Sequence, residues 1–265
     1  MERRLRHRDE ASEFVAFPTM SYPERRPDAQ PPLWSKPSLD AVQAVRARFA
    51  VGIRAVDEFL GGGLPAGSAV AVVGPPFGGK RGLACQFLAA GIAASSPALV
   101  VLTDGDVAHW RQSVAHLSAR VPDERKGLAC FIDLFAAATA ALPPPEHTLA
   151  AVRAACDALP SDRRRVVVDS FSTVAALSGF TMALSMLMRL VAELRREGAT
   201  TMVLLEAGAH TPLELQLVKR QCEGAIEFRQ FGGLPEVQLT GLGLASPSPW
   251  LPCRGESVQV ATRMA

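Results

Sequence analysis

A chain of 265 residues, 48% of them apolar, is long enough to bury the core of one large α/β domain with appendages. The formal net charge of +2 excludes a strong bulk attraction to nucleic acid or to an anionic membrane. The five cysteines, none in a C-x-x-C pair, argue against a disulfide framework or a zinc site and favour free thiols in a reducing cytosol.

The N-terminal region differs in composition from the rest. Residues 1–38 are rich in proline, arginine and acidic residues without periodicity, so we expect a flexible arm there and one domain at 39–265. The start MERRLRHRDE precedes no apolar segment, which predicts no secretory signal and a cytoplasmic protein. The uncharged run Gly82 to Thr103 is interrupted by Ser95-Ser96-Pro97 and predicts a buried helix and strand rather than a membrane span.

Helices and strands alternate through the middle of the chain. Helical spacing predicts helices at 39–50, Ile53–Leu60, Leu83–Ala94, around Trp110 and Val114, Leu149–Leu159 and Met182–Arg196. Continuous apolar runs predict buried strands at Ala69–Val73, Leu99–Leu102, Cys130–Leu134, Val166–Val168 and Thr200–Leu205. Shorter strands follow at Ala225–Phe228, Glu236–Thr240 and Ser257–Val260. This order predicts an α/β fold with a mostly parallel sheet flanked by helices and a C-terminal antiparallel edge.

One segment has the Walker A pattern G-x-x-x-x-G-K of phosphate-binding loops. It consists of Gly74, Pro75, Pro76, Phe77, Gly78, Gly79, Lys80 and Arg81. Its glycines let backbone N–H groups converge on phosphate oxygens, and the helix that follows offers its positive end. Lys80 is placed to reach the β- and γ-phosphates. A predicted strand before the loop and a helix after it favour this interpretation over an ordinary glycine turn.

The position after the lysine departs from the motif. Phosphate loops carry Ser or Thr there because the hydroxyl coordinates Mg²⁺, whereas Arg81 has no lone pair to give and adds a positive charge. Two interpretations follow. Arg81 replaces the metal electrostatically and clamps phosphate, or it points away or blocks the site.

A second motif ends the strand at Val166–Val168. The segment RVVVDS places Asp169 at the end of a buried parallel strand, where a Walker B acid holds the Mg²⁺ shell. We therefore assign Asp169 to the nucleotide site and as the Mg²⁺ ligand. The alternative is an acid that only caps the strand end.

These motifs together resemble a known family. The stretch VGIRAVDEFLGGGLPAGSAVAVVGPPFGGK is similar to the start of KaiC-type domains in the RecA/RadA superfamily, and the resemblance covers roughly residues 50–230. It implies a RecA-like P-loop NTPase core that binds ATP between the subunits of a ring or filament. The expected partners are further copies of the chain or a RecA-like subunit.

The resemblance also marks lost catalytic parts. The family's acidic pair after the second strand falls on Asp104 and Gly105, so Asp104 is the candidate base, with a shorter side chain and no partner. The family's late K-x-R-G element falls on Thr240–Leu244, which carries no Lys or Arg. Glu206 ends a strand where this superfamily often has a polar group that senses phosphate, and an ordinary strand-end acid is the alternative. With Arg81 in place of the hydroxyl, Mg²⁺ is a doubtful cofactor.

Other charged groups have simpler interpretations. His109 and His116 share one helix face without further ligands, which predicts a solvated face rather than a metal site. The cluster Arg163-Arg164-Arg165 precedes a buried strand and predicts a solvated loop with a possible interface role.

Three functions follow from these patterns. The first is a regulatory or assembly factor that binds ATP and hydrolyses it weakly or not at all. The second is a non-enzymatic pseudo-ATPase that pairs with an active RecA-like or other complex. The third is a DNA recombination or repair paralogue, which ranks last because Ser172 to Ala183, where recombinases have DNA-binding loops, is apolar and lacks groups for phosphate contact or base stacking.

Overall fold

The computed structural model describes residues 47–103, 107–117, 128–134, 143–159, 163–254 and 259–260. The expected arm at 1–38 and the candidate base Asp104 lie outside these ranges. The arm, the division of the chain after residue 38 and the role of Asp104 therefore remain predictions.

A mixed sheet forms the centre of the described residues. Its nine strands are β3 (Ala69–Gly74), β4 (Ala98–Leu102), β5 (Ala129–Asp133), β6 (Arg165–Asp169), β7 (Thr200–Glu206), β8 (Gly224–Phe231), β9 (Leu234–Gly241), β10 (Leu251–Arg254) and β11 (Gln259–Val260). Their order across the sheet is β11-β10-β9-β8-β3-β7-β6-β4-β5. The last six strands in this order run parallel to one another. Strands β9, β10 and β11 pair antiparallel at the other edge. The predicted fold class, a mostly parallel sheet with a C-terminal antiparallel edge, is confirmed.

Helices cover both faces of this sheet. They are α1 (Arg54–Phe59), α2 (Lys80–Ala93), α3 (Val107–Leu117), α4 (Pro145–Ala158), α5 (Phe171–Ser178), α6 (Phe180–Arg196) and α7 (Pro212–Lys219). Alternate residues of β3 point to opposite faces, so Val70 and Val72 share a core with α2 while Ala71 and Val73 share one with α5 and α6. The run Gly82 to Thr103 is a buried helix and strand as predicted. None of the helices in the described ranges is long and apolar enough to cross a bilayer.

The structure differs from the sequence prediction in four segments, one of which is α7, a helix that was not predicted. The prediction of a helix at 39–50 is wrong for the residues of this stretch that the structure describes. Arg48–Phe49 forms strand β1, which pairs with β2 (Leu64–Pro65). Strand β10 at Leu251–Arg254 was not among the predicted strands. Ser172 to Ala183, compared above with DNA-binding loops, forms α5 and the first turn of α6.

The arginine cluster at 163–165 departs most from its prediction, which was a solvated loop. Arg164 and Arg165 are buried rather than solvated, and Arg165 is the first residue of β6. Its Nη1 donates hydrogen bonds to the carbonyl oxygens of Ala50 and Phe87, and its guanidinium carbon lies 4.7 Å from the Phe87 ring centroid. Burial lowers the pKa of Arg165 to about 10. A Cβ added to Gly91 in α2 would lie 2.3 Å from Arg165 Cδ, so a glycine gives this side chain its space.

Candidate functional site

A cavity of about 1450 Å³ opens where the carboxyl ends of three parallel strands meet. Gly74 ends β3, Glu206 ends β7 and Asp169 ends β6, and Gly74 lies beside Glu206 in the sheet register. The loop at 76–82, one face of α3 and the β8–β9 hairpin supply the walls. The cavity therefore brings together the phosphate-loop residues, Asp169 and Glu206, which the sequence had assigned separately.

The loop geometry depends on its glycines. Gly79 has φ of 99° and immediately precedes the first residue of α2, Lys80. A Cβ added to Gly78 would lie 2.7 Å from Pro75 Cγ, so only glycine lets the loop close this tightly. Phe77 is fully exposed with φ of 58°. The loop and the N-terminus of α2 border the cavity, a position that suits anion binding, and the volume accommodates a nucleotide-sized ligand.

Lys80 is already paired inside the cavity. Its Nζ lies 2.6 Å from Glu206 Oε1 and donates a hydrogen bond of 3.2 Å to the Pro75 carbonyl oxygen. The other carboxylate oxygen, Oε2 of Glu206, is buried and has no hydrogen-bond partner among the described residues. An incoming phosphate therefore competes with Glu206 for the Lys80 ammonium group.

Arg81 pairs with the Walker B acid. Its Nη2 and Nε donate hydrogen bonds of 2.7 and 3.0 Å to the same oxygen, Oδ2 of Asp169. The buried indole of Trp110 donates a third, from Nε1, at 3.1 Å, and the Arg81 guanidinium carbon lies 5.6 Å from the Trp110 ring centroid. The Arg81 side chain therefore lines the cavity and does not point away from it, which leaves phosphate clamping and blocking of the site as the two interpretations.

The residues at this position do not fit the Mg²⁺ that the family resemblance implies. Mg²⁺ needs near-octahedral oxygen ligands at about 2.1 Å, and the motif hydroxyl that supplies one of them is absent here. Oδ2 of Asp169 accepts three hydrogen bonds, two of them from a cation. A divalent ion bound to this oxygen would lie against the guanidinium of Arg81. Within the described ranges no group of three or more His, Cys, Asp or Glu side chains is arranged to hold a metal.

A hydrogen-bonded chain leads away from Glu206 towards α7. The backbone N–H of Glu206 donates to Ser172 Oγ at 2.8 Å, and Ser172 Oγ lies 2.7 Å from His210 Nε2. The His210 ring packs 5.5 Å from the ring of Phe171. Burial lowers the pKa of His210, which favours the neutral imidazole. The sequence analysis did not single out this pair, because its members are 38 residues apart.

Two further regions named from the sequence can be placed relative to the cavity. His109 and His116 line the cavity, so their helix face borders the site rather than open solvent alone. The stretch Thr240–Leu244 lies at the opposite end of the sheet, where the Leu242 N–H donates to the Glu223 carbonyl oxygen at the start of β8. It contributes nothing to this cavity, and the hairpin residues Phe228, Gln230 and Pro235 contribute instead.

No disulfide joins the four cysteines whose side chains the structure describes. Cys85, Cys130, Cys156 and Cys222 are free thiols. Cys85 lines the cavity, and burial raises its pKa to about 12, which keeps the thiol protonated. A protonated thiol of this kind is a poor nucleophile at neutral pH.

Comparisons with known proteins agree with this geometry. The family model described as "ATPase: KaiC" matches residues 49–231. The UPF0273 protein PH0284 of Pyrococcus horikoshii is 31% identical over 164 residues, and the UPF0273 protein PF1931 of Pyrococcus furiosus is 30% identical over 164 residues. Each alignment covers 58% of this chain and 66% of the relative, just under two thirds of its length.

A solved structure extends the likeness to the fold. The KaiC-like protein PH0186 of Pyrococcus horikoshii OT3 matches with a TM-score of 0.67 at 20% sequence identity. The match covers 82% of this chain and 99% of that protein. The central sheet and its helices are thus those of a KaiC-like domain.

Proposed function

Since the chain belongs to the KaiC family of ATPases, we propose that it binds ATP at the 74–81 loop as a regulatory or assembly factor. Nucleotide stabilises a conformation or an oligomer in this proposal and is turned over slowly or not at all. The observation that carries it is the ion pair between Arg81 and Asp169, which joins an intact phosphate loop to an altered metal position.

The same ion pair argues for impaired hydrolysis. Phosphoryl transfer in phosphate-loop enzymes relies on a metal ion that bridges the β- and γ-phosphates and on a group that positions the attacking water. Here the Walker B carboxylate is bound to Arg81, and the Ser or Thr ligand is missing. The loop keeps its capacity to bind phosphate, since Lys80 and the α2 N-terminus both border the cavity.

An assembly role is supported by apolar groups beside the cavity. Phe231 and Leu234 at the β8–β9 hairpin are exposed, and Gln230 and Pro235 of the same hairpin line the cavity. Large exposed apolar side chains mark interaction surfaces when they occur together. Further copies of this chain, or a RecA-like subunit, are the proposed occupants.

Equilibrium binding of a fluorescent ATP analogue tests the first part of the proposal. The purified chain is titrated with and without Mg²⁺, and saturable binding in at least one condition is expected. Absence of binding in both conditions would overturn the proposal.

A parallel ATPase assay tests the second part. The wild-type chain is compared with an Arg81→Thr variant, and wild-type turnover close to background is expected. Wild-type turnover in the range of active ATPases, of order 1 s⁻¹ or more, would overturn the assignment of impaired hydrolysis. Activity gained by Arg81→Thr would show that the rest of the site still works.

The second candidate function is a pseudo-ATPase that acts only through protein contacts. It is favoured by the fact that both site cations already have carboxylate partners, Glu206 and Asp169, and need no ligand for charge balance. Undiminished function of a Lys80→Ala variant in cells would favour this candidate over ATP binding. Salt-dependent binding of single-stranded DNA in a shift assay would instead support the recombination paralogue.

A further inference from the structure

The geometry points to a nucleotide site that works without a divalent cation. We propose that the guanidinium of Arg81 takes the place of Mg²⁺ and binds the phosphate groups of a metal-free nucleoside triphosphate. This inference rests on the proposed ATP binding and specifies its ionic form. The juxtaposition that carries it is Arg81, anchored on Asp169 and Trp110, at the mouth of the phosphate loop.

Arg81 has more hydrogen-bond donors than its carboxylate partner uses. A guanidinium carries five N–H groups. Arg81 uses one from Nε and one from Nη2 on Asp169 Oδ2, so three N–H groups, including both on Nη1, are not used by this carboxylate. The Arg81 side chain is 42% exposed and lines the cavity. These donors are available to phosphate oxygens, with which a guanidinium forms strong charge-assisted hydrogen bonds.

The Arg81 cation is also fixed in position. Asp169 is almost fully buried, and Trp110 is completely buried below the guanidinium. The carboxylate and the indole ring hold the Arg81 head in place before any ligand arrives. Because little side-chain entropy remains to be lost, a ligand gains more from the contact. A bound Mg²⁺ supplies a fixed positive charge in the same way.

The charges of the chain balance around the phosphate position. Lys80 and Arg81 contribute two positive charges, and Glu206 and Asp169 contribute two negative charges. In a typical phosphate loop the residue at 81 is neutral, so the bound divalent cation makes up the missing positive charge. Here Arg81 provides one of the two positive charges that a divalent cation would supply, and such an ion would have to approach a guanidinium already bound to the ion's expected ligand, Asp169.

Nucleotide binding with and without metal is the direct test. The full chain is titrated with ATP in excess EDTA and in excess Mg²⁺, with heat release or a fluorescent analogue as the readout. The two dissociation constants are expected to agree within about threefold or to favour EDTA. Affinity at least about tenfold weaker in EDTA would overturn the inference while leaving ATP binding intact. No binding in either condition would overturn both.

Variants at position 81 add a second, independent measurement. Arg81→Thr restores the motif hydroxyl and removes the guanidinium, so its ATP affinity in EDTA is expected to fall about tenfold or more below its affinity in Mg²⁺. Arg81→Lys keeps one charge without the planar fork and is expected to bind in EDTA with reduced affinity. The control Arg111→Thr removes an arginine that stacks on Phe131 outside the cavity lining, and it is expected to behave as wild type.

A paramagnetic probe reports on metal binding without reference to affinity or activity. Mn²⁺ is titrated into wild type plus ATP, and its electron paramagnetic resonance signal is compared with ATP alone. We expect no protein-dependent Mn²⁺ site in the wild type and a new one in Arg81→Thr. A protein-dependent Mn²⁺ site in the wild type would overturn the inference, even if the Arg81→Thr variant failed to fold.

Discussion

The two neighbouring ion pairs in the cavity differ in which partner is buried, the cation in one and the acid in the other. In the first, the side chain of Lys80 is 7% exposed and that of Glu206 is 32% exposed. In the second, the side chain of Arg81 is 42% exposed and that of Asp169 is 3% exposed. The nitrogen–oxygen distances are nearly equal, at 2.6 and 2.7 Å. The pairs therefore differ in which partner an incoming ligand meets.

This inversion gives the two cations different tasks. A phosphate that approaches Lys80 displaces an accessible acid, and solvent stabilises the carboxylate that is released. Asp169 cannot be released in this way, because a buried carboxylate without partners costs several kcal/mol. Arg81 therefore stays bound to Asp169 when a ligand enters, and its remaining N–H groups are the ones that bind the phosphate. We call Lys80 and Glu206 the exchangeable half of the site, because Lys80 changes its partner when phosphate binds. Arg81 and Asp169 are the fixed half, because their ion pair is kept.

The largest expected effect comes from removing the exchangeable cation. Lys80→Ala deletes the ammonium group and leaves Glu206 unpaired beside the phosphate position. We expect ATP affinity to fall by about 100-fold, equivalent to about 2.7 kcal/mol. Equilibrium binding measures this change. The control Lys219→Ala breaks an ion pair of similar length with Glu227 outside the cavity lining, and a comparable loss there would contradict the comparison.

The fixed half is expected to respond in stability rather than in affinity. Trp110→Phe removes the indole donor to Asp169 Oδ2, and we expect the free energy of unfolding to fall by about 2 kcal/mol. ATP affinity should stay within about threefold of wild type, since Arg81 keeps its own bonds to Asp169. Denaturant unfolding followed by circular dichroism gives the first value and titration the second. A large affinity loss with unchanged stability would reverse the roles assigned to the two pairs.

Trp250 supplies the matched control for that substitution. The guanidinium carbon of Arg229 lies 4.0 Å from its ring centroid, away from Asp169. Trp250→Phe keeps an aromatic face for this contact and should lower the free energy of unfolding by no more than about 1 kcal/mol. An equal loss of unfolding free energy in both variants would mean that the hydrogen bond from Trp110 to Asp169 adds nothing measurable to stability.

A smaller change is expected when the exchangeable acid is neutralised. Glu206→Gln keeps the size of the side chain and removes the charge that competes with phosphate for Lys80. We expect ATP affinity to rise by about fivefold, equivalent to about 1 kcal/mol. Glu227→Gln, which removes the partner of Lys219, should leave affinity unchanged. Unchanged or weaker binding in Glu206→Gln would show that the acid helps to hold the nucleotide.

The smallest expected effect is a fall in the free energy of unfolding at low pH. It involves only the side of the cavity where Glu206 lies. Burial lowers the pKa of His210, while Glu214 acts in the opposite direction. The unfolded chain thus binds this proton more readily, so the contribution of His210 to stability is complete above about pH 6.5 and is lost as the pH falls below it. Unfolding measured between pH 7.5 and 5.5 should show this decline, reduced in His210→Asn. An identical decline in that variant would assign it to other groups.

Much of the fold was readable from the sequence because its signals are local. Continuous β-branched apolar runs such as Val166–Val168 indicate strands buried on both faces, and the loop at 74–80 lies between such a strand and a helix. The strands β3, β4, β6 and β7 were placed within one or two residues of their observed bounds. Helix α7 was not predicted, and the structure shows that it begins with a capping box of Thr211 and Glu214.

The sequence by itself therefore determined the sheet, the phosphate loop and the acid at the end of β6. Only the tertiary structure decided what each charge does, because burial and pairing depend on residues distant in the chain. Arg81 and Asp169 are 88 residues apart, and Arg165 is 115 residues from the carbonyl that it binds at Ala50. The sequence predicted a solvated loop for Arg165 and left the direction of the Arg81 side chain open. Packing buries Arg165 as a structural support and leaves Arg81 anchored at one end and open to the cavity at the other.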